Sequence, residues 1–177
     1  DAQSCSFTGT ATITEPTAIV PAATATGATC NTGADGGLVI TATGGTGAYQ
    51  FSADNGTSFQ ASGTFSGKTA GIYTIVVKDA SGCTASTTST ITEPAVLTVT
   101  PAGTNILCNG LSTGAISVTA TGGNGGYTYS NDNGVAFQAG SSFTGLAAGT
   151  YQVMAKDSKG CTSVASAVTI SQPAALV

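Results

Sequence analysis

The sequence predicts an all-β protein, made of tandem Ig-like β-sandwich repeats of about 78 residues. Three observations carry that prediction. The chain resembles itself at one fixed offset, a signature of repeat architecture. Its apolar residues alternate with Thr and Ser at a period of two, the pattern of half-buried strands. Gly-rich and Asn-Gly turn signals recur at close intervals, and no helical periodicity interrupts them.

The repeat is read directly from the residues. Thr41-Ala42-Thr43-Gly44-Gly45 returns as Thr119-Ala120-Thr121-Gly122-Gly123, and Phe59-Gln60-Ala61 as Phe137-Gln138-Ala139. Lys78-Asp79 through Gly82-Cys83 returns as Lys156-Asp157 through Gly160-Cys161. Of the 54 positions from Cys30 to Cys83, 26 are identical to the residue 78 positions on. Ile13-Thr14-Glu15-Pro16 maps onto Ile91-Thr92-Glu93-Pro94 at the same offset, and Ile170-Ser171-Gln172-Pro173 follows one residue late, which marks a single insertion after Cys161. The expected organisation is therefore the C-terminal strand of a preceding repeat at 1–16, Ig-like repeats at 17–94 and 95–173, and the start of a following repeat at 174–177. On this reading the chain is a segment of a longer array.

Each strand follows from alternation. Leu38, Ile40 and Ala42 are expected to face inward, as are Ile116, Val118 and Ala120, with Ser117, Thr119 and Thr121 facing out. A second strand, entered through the Gly-rich corners 44–47 and 122–125, carries Tyr49 with Phe51 and Tyr127 with Tyr129. A third offers Tyr73, Ile75 and Val77, or Tyr151, Val153 and Ala155, to the core. Asn55-Gly56 and Asn133-Gly134 predict tight type I′ hairpin turns, because both central residues need φ > 0. Ser81-Gly82 and Lys159-Gly160 mark a second turn. About seven short strands per repeat fit a two-sheet sandwich; a β-solenoid would repeat at shorter periods.

A repeat of this size has little core to bury, so a disulfide matters. The five cysteines, Cys5, Cys30, Cys83, Cys108 and Cys161, form no CxxC, and the chain has no His, which argues against a structural metal site. Two pairings fit the spacing. Within repeats, Cys30–Cys83 and Cys108–Cys161 would form, with Cys5 unpaired by truncation. Across junctions, Cys5–Cys30 and Cys83–Cys108 would form instead. The first is expected, because each repeat should be stable alone. It requires Cα atoms within about 7 Å, so the segment before the second strand must run back toward the turn that holds Cys161.

Composition excludes several function classes. Charged residues are 7% of the chain, the only cations are Lys68, Lys78, Lys156 and Lys159, and the net charge is −4. That cannot supply the row of cations a nucleic-acid binder needs, and no apolar run is long enough to insert in a membrane as a helix. Without His, Ser–His and Cys–His catalysis are out of reach, so no catalytic, metal or cofactor residue is expected. Asp54 and Asp132, next to Asn-Gly, bring too few carboxylates for a Ca²⁺ site and read as turn residues. Gly44-Gly45-Thr46-Gly47 lacks the Lys and the helix of a phosphate loop.

These motifs together resemble the SprB repeat. The residues that carry the resemblance are Cys108-Asn109, Thr121-Gly122-Gly123 with Tyr127, Gly149-Thr150-Tyr151, and Asp157 with Gly160-Cys161. In the first repeat they are Cys30-Asn31, Gly44-Gly45, Tyr49, Gly71-Ile72-Tyr73, Asp79 and Gly82-Cys83. The family's corner often continues Pro-Pro-Tyr, where this chain has Gly-Ala-Tyr and Gly-Gly-Tyr. The resemblance implies a very large, secreted cell-surface adhesin of the kind found in gliding Bacteroidota, exported by type IX secretion and carried by the gliding machinery. The expected function is that of a non-enzymatic stalk that projects adhesive regions and supports attachment or gliding motility, with neighbouring repeats of the same chain as partners. The alternative is that the repeats themselves are weak, multivalent binders of surface polysaccharide.

Overall fold

The computed structural model describes residues 8–176, and they are all-β. Twelve strands follow in order: β1 Val20–Thr26, β2 Gly36–Thr43, β3 Gln50–Ser52, β4 Thr64–Lys68, β5 Gly71–Lys78, β6 Thr84–Ile91, β7 Thr98–Thr104, β8 Gly114–Thr121, β9 Thr128–Ser130, β10 Ser142–Leu146, β11 Gly149–Lys156 and β12 Ser166–Ile170. They form four three-stranded sheets, with orders β1-β2-β4, β3-β5-β6, β7-β8-β10 and β9-β11-β12. Among the described residues each half thus contributes six strands, where about seven were expected.

The chain divides into two compact units whose borders cut through strands. One comprises 8–24, Val39–Phe65 and Tyr73–Ser89; the other comprises Ala25–Leu38, Ser66–Ile72 and 90–176. The loop that carries Cys30 therefore belongs to the larger unit.

Strand faces follow the alternation read from the sequence. Along β8, Ile116 and Val118 are buried while Ser117 and Thr119 are exposed, and along β2 Leu38 and Ile40 are buried around exposed Val39. In the larger unit Ile106, Ile116, Val118, Val153 and Ile170 form one core, with Val99, Tyr129, Phe143, Leu146, Tyr151 and Val168 packed against it. These residues come from both sheets of the second half, so burial of two inner faces against each other holds that sandwich together. On the outer faces Lys78 lies over the Phe59 ring at 4.3 Å and Lys156 over Phe137 at 4.4 Å, which ties the recurring Phe-Gln-Ala motif to the end of β5 or β11.

The Gly-Gly corners meet a strict steric demand. Gly122 has φ 83°, and a Cβ there would lie 2.0 Å from the Val96 carbonyl oxygen. The Tyr127 hydroxyl then donates to the Gly122 carbonyl at 2.6 Å, and Tyr49 donates to Gly44 in the same way. Only glycine allows this approach.

One local expectation changed. Asn55 and Gly56 have φ of 61° and 83°, and Asn133 and Gly134 have 60° and 84°, as the turn chemistry predicted. They do not close two-residue hairpins, however, because Phe51 pairs with Gln60 and Tyr129 with Gln138 across longer loops. Inside each loop a buried serine takes the role of the ladder. Ser130 Oγ accepts from the amides of Asp132 at 3.2 Å and Gly134 at 2.8 Å while donating to Asp132 Oδ1. The hydroxyl of Ser130 holds the Asp132 carboxyl below its ordinary range, and Ser52 does the same for Asp54. The insertion after Cys161 is absorbed as a bulge. Gly149 pairs with Ile170 and Val153 with Ser166, but Lys156 pairs with Thr162, one residue out of register. Ser163 at the bulge is buried, and its hydroxyl accepts the Ala155 amide at 2.9 Å.

Replacing Gly122 with Ala should destabilise the protein by roughly 1–3 kcal/mol from backbone strain alone, before the clash with Val96 is added. Urea unfolding measures this, and an unchanged midpoint would contradict the account of the corner.

Candidate functional site: a disulfide clasp

Cys30 sits in the loop between β1 and β2. The loop is held by hydrogen bonds to the segment that follows β6. The Ala28 amide donates to the Thr92 carbonyl at 2.8 Å. Asn31 Nδ2 donates to Glu93 Oε1 at 2.9 Å and to the Pro94 carbonyl at 3.1 Å, and the Thr32 amide donates to Glu93 Oε2 at 2.6 Å. Thr32 adopts φ 57°, and the Gly33 amide closes back on the Cys30 carbonyl. One carboxylate thus receives two donors from the Cys-Asn opening, the charge-assisted kind of bond that fixes geometry.

Cys161 sits in the turn after β11, which one carboxylate organises. Asp157 Oδ1 accepts the amides of Lys159 and Cys161, each at 2.9 Å, and Oδ2 accepts the Asn124 amide at 2.8 Å. Asp157 is buried. Burial alone would raise its pKa, but the hydrogen bonds from Asn124, Cys161 and Lys159 outweigh it and hold the carboxyl below its ordinary range. Asp79 repeats the arrangement with the amides of Thr46, Ser81 and Cys83, led by Thr46, and its carboxyl is lowered too. The Asp-x-x-Gly-Cys motif is therefore a carboxylate-centred turn that aims a cysteine.

The two cysteines meet. Cys30 and Cys161 form a disulfide with a Cα–Cα distance of 5.7 Å, across 131 residues of sequence. Asn124 Nδ2 braces the contact, donating to the Thr29 carbonyl at 2.9 Å and to Asp157 Oδ2 at 2.9 Å. The cleft beside the bond is lined by Asn31, Val96, Leu97, Gly160 and Val164 among others.

This pairing corrects the expected one. Cys30–Cys83 and Cys108–Cys161 do not form, nor does Cys83–Cys108; Cys83 and Cys108 are exposed free thiols, and Cys5 lies outside the described residues. The reason is visible in the second half. The loop before Cys108 is tied to the end of β12, where the Ile106 amide donates to Ser171 and Asn109 Nδ2 to Pro173, next to the Gly149 end of β11. Cys161 lies past the Lys156 end of the same strand. Eight extended residues put these ends about 24 Å apart, well beyond disulfide reach. The segment before β8 does not run back toward Cys161.

Sequence reasoning missed Glu93, Asn31, Asn124 and Asp157 as the residues that set this geometry. Their signal was present as Cys-Asn, Glu-Pro and Asp-x-x-Gly-Cys, motifs that mark each repeat without naming which copies face each other.

The SprB repeat model matches the chain at residues 22–58 and 98–136, which bears out the resemblance read from the motifs. No curated protein sequence matches. Among solved structures, a C-terminal 282-residue fragment of intimin, crystallised with the intimin-binding domain of the translocated intimin receptor, aligns at 17% identity with a TM-score of 0.39. That alignment covers 89% of this chain and 64% of the fragment, so the chain spans less than two thirds of its neighbour's length.

Two predictions follow from the clasp. Replacing Cys30 and Cys161 together with Ser should cost at most about 5 kcal/mol in the chain-entropy model for a loop of this length, read by chemical unfolding under oxidising conditions. The lowered pKa values of Asp79 and Asp157 stabilise the fold above the unfolded-state value near 3.9, and that stabilisation is lost as pH falls. The double variant Asp79→Asn, Asp157→Asn should therefore be less stable at pH 7 and lose less stability than the parent on acidification from about pH 5 to 2.

Proposed function

We propose that this chain is a stretch of a secreted cell-surface adhesin in which the repeats, 17–94 and 95–173, act as a non-enzymatic stalk that projects adhesive regions and supports surface attachment or gliding motility. Two matches to the SprB repeat support the adhesin reading. The observation that carries the stalk reading is the Cys30–Cys161 bond. It ties the opening of one repeat to the closing turn of the next, so the covalent path between the repeats no longer depends on a single peptide strand. Such a bond resists pulling and suits a secreted protein in an oxidising environment.

The exposed threonine rows support the same reading over polysaccharide binding. Thr98 and Thr121 hydroxyls bond each other across β7 and β8 at 3.0 Å, Thr119 donates to the Thr100 carbonyl, and Thr150 and Thr169 pair across β11 and β12 at 3.1 Å. Hydroxyls engaged across strands stiffen a sheet more than they present donors to a sugar.

Stretching single molecules by their ends tests the proposal. With the clasp closed, only about 45 residues outside it can extend, roughly 160 Å of new length, whereas the reduced chain should extend to roughly 600 Å. Equal extension before and after reduction would contradict the stalk reading. Glycan binding by the oxidised chain would favour the multivalent-binder alternative.

A further inference from the structure

The chain holds four Asn-Gly dipeptides, at 55–56, 109–110, 124–125 and 133–134. In such a pair the glycine nitrogen readily attacks the asparagine side chain, because no Cβ shields it. Three of the four glycine amides are engaged. Gly56 donates to Ser52 Oγ and Gly134 to Ser130 Oγ, each at 2.8 Å, and both serines are fully buried. These hydroxyls donate in turn to the carboxylates of Asp54 and Asp132, so a proton leaving either amide would place a second negative charge beside the first. The Gly110 amide donates to Gln172 Oε1 at 3.1 Å. The Gly125 amide has no acceptor among the described residues. Its surroundings are open, since a Cβ added at Gly125 would meet nothing within 4 Å, and Asn124 is exposed.

We infer that Asn124 is a site of spontaneous deamidation, and that the carboxylate formed there weakens the Cys30–Cys161 clasp that the amide braces. The Gly125 nitrogen attacks Asn124 Cγ. A new C–N bond forms, the bond to Nδ2 breaks, and that nitrogen leaves as ammonia. Water then opens the five-membered imide at either carbonyl and leaves an aspartyl or isoaspartyl residue at 124. The net reaction consumes one water and needs no oxidant or cofactor. The atom lost is the one the clasp uses: Nδ2 donates to the Thr29 carbonyl and to Asp157 Oδ2, each at 2.9 Å, and to Cys161 Sγ at 3.6 Å. After conversion a negative oxygen faces a carbonyl and a second carboxylate, and like charges so close disfavour each other. Asp157 also accepts the Cys161 amide, so the strain falls on the turn that aims the sulfur. The clasp in turn controls the reaction. While it is closed, Nδ2 is held between Thr29 and Asp157, and the side chain must leave both to meet the Gly125 nitrogen. Reduction frees the Thr29 loop from its tether, so conversion runs faster in the open state and then disfavours reclosure. The first repeat has Thr46 at the corresponding position and no such amide. None of this depends on whether the repeats project or bind.

The test ages the whole chain at mildly alkaline pH, with and without reductant, and follows each Asn-Gly pair by peptide mass spectrometry. Asn55 and Asn133 in the same digest serve as internal references. In the reduced protein the expected conversion at 124 is faster than at 55 or 133 by roughly tenfold or more, and closing the clasp should slow it. Equal rates at 124, 55 and 133 would overturn the inference, as would a rate at 124 that ignores the state of the clasp. A second measurement uses Asn124→Asp in glutathione buffers, with Cys30 and Cys161 scored by alkylation and mapping. The expected shift is roughly tenfold toward the open dithiol at neutral pH, the equivalent of one unit of pKa. Asn124→Thr, which removes the brace without adding charge, should shift it less. An Asn124→Asp clasp that closes as readily as the parent's would overturn the second half of the inference.

Discussion

The eight residues of β11, from Gly149 to Lys156, set a separation that the rest of the second half obeys. One end of this strand pairs with the end of β12 at Ile170, and the loop before Cys108 is fastened there. The other end runs into the Asp157 turn and Cys161. An extended strand of that length cannot fold back on itself, so the opening and closing cysteines of one repeat are held apart. The closing cysteine is then presented to a loop from a different copy. In this chain that loop is the one carrying Cys30, delivered by Glu93 and Pro94 immediately before β7.

The carboxylates complete this geometry at little structural expense. Glu93 fixes the loop that brings Cys30, and Asp157 fixes the turn that brings Cys161, each by accepting backbone amides. The low charge of the chain is thus concentrated where local backbone needs acceptors. Asp54 and Asp132 show the same habit in the loops after β3 and β9, where a buried serine hydroxyl shares the work. A chain with few charges can hold irregular backbone this way because Asp54, Asp79, Glu93, Asp132 and Asp157 each meet donors already present in the main chain.

Much of the fold was legible in the sequence because strand faces obey a period of two. Leu38, Ile40, Ile116 and Val118 were placed in the core by alternation, and the pleat put them there. The single insertion after Cys161 was legible as a late Ile170, and it surfaces as the bulge at Ser163. Positive φ at Asn55 and Asn133 was legible, but the span of their loops was not, since it depends on Ser52 and Ser130 competing for the turn amides. The disulfide was least legible. Cysteines repeating at one offset are consistent with pairing inside a repeat, with the preceding copy or with the next, and only the distance along β11 decides among them. A small asymmetry, Asn124 where the first repeat has Thr46, marks the closed clasp: Asn124 reaches the Thr29 carbonyl, while Thr46 bonds Asp79 and Ser81 instead.

Disulfide mapping of the purified, oxidised protein under non-reducing conditions tests the central claim most directly. The account predicts a peptide that links Cys30 to Cys161, with no link between Cys30 and Cys83 or between Cys108 and Cys161. Recovery of those two within-repeat peptides as the main species would contradict it.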